Sequence, residues 1–203
     1  MTYSDFSFAG ALSAFGLSAT TANVFPPLTP AASTAWLQET LEKTRWFAFA
    51  SKKARSEFIV APLLLTVREL TGNRIAIFSG ERFDVDSDTG LAGECGFLLS
   101  ADVPVPIIRA PIFTLVEAKK ADIQLGLGQC VAQMVGAQRF NEQAGEHNLV
   151  YGCVTAGELW QFLRLSGSDL ILDSDRFRYP DMSLILSAFL FAINAAAPPQ
   201  STH

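Results

Sequence analysis

Thr114-Leu-Val-Glu117-Ala-Lys119-Lys120 sits at the middle of the chain's pattern of strands and helices. An apolar run ends in a carboxylate, one spacer and an ammonium. Side chains alternate faces along a β-strand, so Glu117 and Lys119 project to one side and Ala118 to the other. Charged groups at the end of a buried strand are costly to keep there without partners. A divalent metal and a phosphate would supply one for each. Glu117 would be an oxygen ligand for Mg²⁺ or Mn²⁺, and Lys119 would stand beside the attacking water and the phosphate. The same triplet also reads as a strand end that meets solvent beside a surface ion pair.

On both sides of this stretch the pattern changes period. Upstream, Gly93–Ser100 reads as a strand, and the proline-broken linker Val103–Pro111 separates it from Ile112–Lys119. Arg74–Phe78 and Arg82–Asp86 alternate as two strands around a turn at Ser79-Gly80-Glu81. Before them, Ser51–Leu70 has helical spacing, with Pro62 as a kink or a new start. A helix capped at Ser33-Thr34 carries Trp36, Leu37 and Leu41 on one face. Residues 1–33 hold only a weak amphipathic pattern of Phe6, Phe8, Leu12 and Phe15, an arm laid against the body. Downstream, Asp122 caps the longest helix, which runs to about Gly145. Strands Leu149–Thr155, Leu159–Leu165 and Leu170–Leu172 and an apolar C-terminal helix complete the chain. The boundaries expected are an arm and helix over 1–45, a domain over 46–197 and a disordered tail over 198–203. The order predicts one α/β domain around a mixed sheet.

The 203 residues are 49% hydrophobic and 17% charged, enough for one sizeable core. A net charge of −5 argues against a generally basic nucleic-acid coat. Lys52, Lys53 and Arg55 still form a local basic cluster. Cys95, Cys130 and Cys153 lie among apolar residues, which fits reduced, buried thiols in a cytoplasmic protein. The first residues lack a basic region followed by an apolar core, so no secretory leader is expected. Met182–Ala197, interrupted by Ser183, Ser187 and Asn194, is too short for a membrane span and reads as a buried or subunit-interface helix.

Five elements in order carry a more specific likeness. They are Glu57 in Ser-Glu-Phe-Ile-Val-Ala-Pro62, Gly93-Glu-Cys-Gly-Phe-Leu-Leu-Ser100, the Glu117-Ala-Lys119 strand, Gly126-Leu-Gly-Gln-Cys130, and Asn141-Glu142 with Tyr151-Gly-Cys-Val-Thr155. Over residues 50–165 the chain resembles the PD-(D/E)XK nuclease superfamily, in particular uncharacterised bacterial members. The resemblance implies a restriction-endonuclease-like mixed β-sheet flanked by helices and Mg²⁺- or Mn²⁺-dependent cleavage of DNA. It also implies site roles for Glu117, Lys119, Glu57 and Gln129, with Gln133 as second choice. Metal and lysine would stabilise the developing charge.

The chain departs from the pattern where the metal-binding Asp is expected. Gly96 stands there and brings no ligand. Glu94 is two residues earlier, on the same face of an extended strand but about 6–7 Å away. It reaches a shared metal only if the strand bulges. Asp84 on the neighbouring strand is a weaker substitute. Two readings follow: a DNA nuclease, impaired at Gly96, or a non-catalytic binding or oligomerisation protein whose apolar C-terminal helix is buried in a homodimer. Other residues have plain alternatives. Glu57 pairs with Lys53 on a helix, and Gln129 and Gln133 are surface polar residues one turn apart. Gly126 and Gly128 approach a phosphate through backbone N–H groups. Trp160 and Phe162 are core. Asp86–Gly90 lacks the acids of a calcium loop, and His147 and His203 are too isolated for a metal site or triad.

Overall fold

The computed structural model describes residues 1–46, 51–101, 107–118, 122–146, 149–179 and 181–196, with the backbone alone at positions 114, 115, 117 and 118. A 3-10 turn, Tyr3–Asp5, leads into α1, Phe8–Phe15, where Ser7 Oγ accepts from the Gly10 N–H. Strand β1, Ser18–Ala22, follows, and α2, Ala35–Thr44, is capped by Thr34. The next helical stretch has three parts: α3, Lys52–Arg55; a π-helical turn, Ser56–Val60; and α4, Ala61–Leu70. Pro62 offers no N–H to the carbonyl four residues back and its ring crowds that carbonyl. A π turn just before it widens the helix where the bond would be missing.

Strands β2, Ala76–Ser79, β3, Phe97–Ser100, and β4, Ile112–Ala118, precede α5, Gln124–Gln143. Then come β5, Leu149–Thr155, β6, Leu159–Ser166, β7, Asp169–Asp173, β8, Phe177–Arg178, and α6, Met182–Ala196. The sheet order is β1-β7-β6-β5-β4-β3-β2, with β8 also beside β6. The β1–β7 and β4–β5 pairs are parallel and the remaining pairs antiparallel, so the sheet is mixed. This is one α/β domain with helices on both faces. One core joins Leu37, Leu63, Phe113, Val116, Trp160, Phe162 and Phe189 under α2, α4 and α6. The other joins Tyr3, Phe6, Leu98, Leu127, Met134 and Val154 under α5 and the N-terminal segment. No helix is long and apolar enough to cross a membrane among the described residues.

Helix α5 is buried nearly all round, not on one stripe as its sequence suggests. On its inner side Cys130 and Met134 press on β5 at Gly152, where a Cβ would sit 2.8 Å from Sγ and 2.4 Å from Sδ. On its outer side a Cβ at Gly128 would lie 2.2 Å from the Phe6 carbonyl oxygen and 2.7 Å from the Phe8 nitrogen. The Gly126–Gly128 reading as a phosphate cradle is therefore corrected at Gly128. The N-terminal chain covers it, and glycine is there to let two backbones meet. The three cysteines are free and buried, and burial pushes the Cys153 thiol well up.

Three further expectations change. The arm contains a strand: β1 is wholly exposed and polar, so no alternation marked it, yet it extends the sheet beside β7. Arg82–Asp86 does not form a hairpin with Arg74–Phe78. Its backbone pairs instead with residues 91–95, through Phe83 N–H to Gly93 O and Val85 N–H to Leu91 O, both 2.9 Å. The apolar C-terminal helix packs Ile185, Leu186, Phe189 and Ile193 into its own subunit's core, which removes it as an argument for a dimer. Trp160 and Phe162 are fully buried, as core residues should be.

Gly128→Ala should lower stability by about 1–3 kcal/mol, because the opposing atoms are backbone and cannot rotate away. Gly136→Ala, which meets the Tyr3 side chain, should cost less. Urea unfolding of the two variants checks the order. A second expectation concerns Asp173, which is 4% exposed. Its carboxylate accepts the Val24 and Asp175 N–H groups, yet burial holds its pKa above the ordinary carboxylate value. A raised carboxyl pKa gives stability that is present at low pH and lost as pH rises through it. Asp173→Asn should therefore gain on the wild type as urea midpoints are taken from about pH 3 to pH 7.

Candidate functional site at the ends of β3 and β4

Strand β4 is built around an irregularity. Leu99 pairs with Thr114 and Ser100 with Ile112, so β4 holds one residue more than β3 at Phe113. The extra residue turns the alternation, and Phe113 and Val116 both join the core beneath α4 and α6. Ile112 is fixed there by Asn141 from the last turn of α5. Asn141 Oδ1 accepts the Ile112 N–H at 2.8 Å, and Asn141 Nδ2 donates to the Ile112 carbonyl at 2.7 Å. A fully buried amide thus acts as the missing neighbour strand at the bulge.

From that fixed point the register runs to the site. Phe97 pairs with Val116, the last pair of this ladder, and Gly96 and Glu117 are the next residues of the two chains beyond it. On the other side Glu117 pairs with Val154, whose side chain belongs to the core under α5. Position 117 therefore lies near the C-terminal ends of the parallel pair β4 and β5. Lys119, the other half of the triplet, lies outside the described residues, as do His147, His203 and the tail 198–203.

The structure treats the other candidates unequally. Gln129 and Gln133 are 7% and 1% exposed, so the reading of both as surface residues is corrected. Gln133 Nε2 reaches the Glu94 carbonyl oxygen at 3.4 Å and ties α5 to the segment before β3. Glu57 is in the π-helical turn, exposed, with Oε1 3.2 Å from Lys53 Nζ. That is the plain ion pair, worth a few tenths of a kcal/mol.

Glu94 does not lie on β3, which begins only at Phe97. The chain reaches it through Gly93 at φ +138°, a conformation outside the extended strand region for other residues. Glu94 forms an isolated bridge with Arg82 and its side chain is exposed. The same-face relation of Glu94 to position 96 fails for that reason. Asp84 is held in place by structural contacts. Its carboxylate is 2.7 Å from Arg82 Nε and accepts the Gly93 N–H at 2.9 Å. Asp86, further out, accepts from Arg139 at 2.7 Å. Hydrogen bonds from Thr89, and then the Arg139 charge, hold its carboxyl below the ordinary range.

No group of three metal-ligating side chains occurs among the described residues. Gly96 offers no donor, Glu94 is turned to solvent, and Asp84 is engaged in its own hairpin. These residues do not fit a Mg²⁺ site completed around Glu117. The rim beside it is well ordered by contrast. Thr155, which pairs with Ala118, accepts the Gly157 N–H at 2.9 Å and donates to the Leu159 carbonyl at 3.0 Å. Asn141 and Thr155 entered the sequence reading only as parts of the resemblance; their bonds to the main chain at 112, 157 and 159 are set by the fold. A comparison with protein-family models and with curated proteins found no match to this chain.

Asn141→Ala leaves a buried N–H and a buried carbonyl at Ile112 without partners. The loss expected is about 2–5 kcal/mol. Asn141→Asp should recover only part of it, since a carboxylate accepts from the N–H but donates nothing. Chemical denaturation of both variants tests this.

Proposed function

We propose that this chain is a restriction-endonuclease-like protein that binds the phosphodiester backbone of DNA and cleaves it poorly or not at all. What supports the fold reading is the order of its central elements. A helix, α4, precedes three strands, β2-β3-β4, in antiparallel succession; helix α5 crosses one face, and β5 returns parallel to β4. The observation that carries the functional reading is where the β3–β4 ladder stops: Phe97 opposite Val116 is its last pair, and Gly96 and Glu117 are the residues just beyond it. In the PD-(D/E)XK resemblance those two positions hold the paired carboxylates. In this chain glycine stands at one of those two positions, Gly96, and a carboxylate at the other, Glu117.

The basic residues Lys52, Lys53 and Arg55 open the helix at the same rim and fit a phosphate-lined partner better than the overall charge of −5 does. A divalent metal held here would polarise a phosphodiester oxygen, and it would need more oxygen ligands than the one carboxylate of Glu117. With a single carboxylate position the metal affinity is low, and binding of the backbone outlasts cleavage. A homodimer is not needed for this reading.

The test is a Mn²⁺-dependent cleavage assay on single- and double-stranded DNA. Wild type should cut weakly or not at all. Gly96→Asp should gain cutting, and the added Glu117→Ala change should abolish that gain. If Gly96→Asp is folded and stays inert while wild type fails to bind DNA, the reading is wrong.

A further inference from the structure

Three buried side-chain polar atoms among the described residues have no hydrogen-bond partner: Tyr3 Oη, Arg55 Nη1 and Arg164 Nε. Two have settings inside the fold. Tyr3 is pressed onto α5, where a Cβ at Gly136 would lie 2.5 Å from its hydroxyl. Burial, then the neighbouring Cys95 and Asp84, drive its pKa up and keep it a neutral phenol. Arg164 stands within β6, between Tyr151 of β5 and Ile171 of β7.

Arg55 is placed differently. It is the last residue of α3, at the rim where β4 and β5 end. A Cβ at Gly157 would lie 3.4 Å from its Cγ and Cδ, so the aliphatic stem lies flat on the β5–β6 turn. That turn is rigid: Thr155 holds the Gly157 N–H, and Trp160 Nε1 donates to the Gly157 carbonyl at 2.9 Å. Thr155 pairs with Ala118, the residue after Glu117. The guanidinium is thus carried by a fixed stem beside the candidate site. Its neighbour Lys53 is matched by Glu57, whereas Arg55 makes no ion pair among the described residues.

A guanidinium cannot relieve its desolvation by losing a proton, as an ammonium can. Nη1 itself is covered by the fold while Arg55 as a whole is half-buried, so an incoming acceptor meets the guanidinium through its other N–H groups. The fork of N–H donors matches the oxygens of a phosphate, in a charge-assisted bond stronger than a neutral one. We propose that Arg55 is an anion-binding residue that takes a phosphate oxygen of the DNA backbone at the rim of the sheet. It rests on the phosphodiester-binding reading above. The stem on Gly157 orients the guanidinium, and the exposed Lys53–Glu57 pair, two residues to either side of Arg55, is matched within itself.

The experiment uses the full chain, wild type, Arg55→Met, Arg55→Lys and Lys43→Met. Methionine keeps the aliphatic packing on Gly157, and Lys43 is an exposed α2 residue paired with Glu39. Binding of a short fluorescein-labelled DNA duplex is followed by anisotropy over a salt series, and stabilisation by inorganic phosphate by thermal unfolding. Arg55→Met should weaken DNA binding roughly tenfold and lower the salt slope by about one counterion. Arg55→Lys should fall between it and wild type, and Lys43→Met should match wild type. In the absence of phosphate Arg55→Met should unfold no earlier than wild type, which a purely structural arginine would not allow. Wild-type affinity and slope in Arg55→Met overturn the proposal and leave the DNA reading standing. Arg55-dependent stabilisation by phosphate without any DNA binding overturns the DNA reading and upholds an anion site for phosphate itself. No response to either probe overturns both.

Discussion

Everything in this fold depends on how closely α5 is held from two sides. Cys130 and Met134 approach the β5 backbone at Gly152, and the chain at Phe6–Phe8 approaches the helix at Gly128. A methyl group at either glycine would sit where other atoms already are. At Gly128 the contact is backbone to backbone and leaves no room to relax, because neither partner can change rotamer, whereas at Gly152 the opposing atoms are the Met134 and Cys130 side chains. The helix is therefore an inner layer between the sheet and the N-terminal segment. Its mixed composition follows from that position: apolar residues meet the sheet, glycines meet the arm, and Gln133 and Asn141 satisfy backbone groups of the neighbouring chain.

The same constraint fixes the candidate site. Asn141 pins Ile112 at the bulge, and the ladder then runs to Phe97 opposite Val116, just short of Gly96 and position 117. The excursion between β2 and β3 determines what stands around that pair. It folds on itself, with residues 81–85 bonded to 91–95, and Arg139 grips its tip through Asp86. Asp84 and Asp86 both stabilise this excursion. Glu94 is turned outward by the glycine before it. Acidic residues are close to the site in sequence, yet the geometry gives them other partners.

Much of the framework was legible because periodicity reports burial. The strands at 112–118, 149–155 and 159–166, the helix after Asp122 and the core positions of Trp160 and Phe162 all follow from apolar spacing and turn residues. Even the break at Pro62 has a chemical signature, and the π turn is its resolution. Strand β1 was not legible. Ser18–Ala22 is polar and exposed on both faces, and it is a strand only because β7 offers a free edge to pair with.

The sequence alone determined the α/β order, the strand that carries Glu117 and the absence of a carboxylate at Gly96, since these rest on residue identity and local period. The tertiary structure decided which residues meet. It set the mixed strand order, buried Gln129 and Gln133, turned Glu94 away and left the Arg55 guanidinium at the rim with a buried N–H unmatched. Register, positive-φ turns and helix docking depend on contacts between residues far apart in the chain, and no local pattern encodes them.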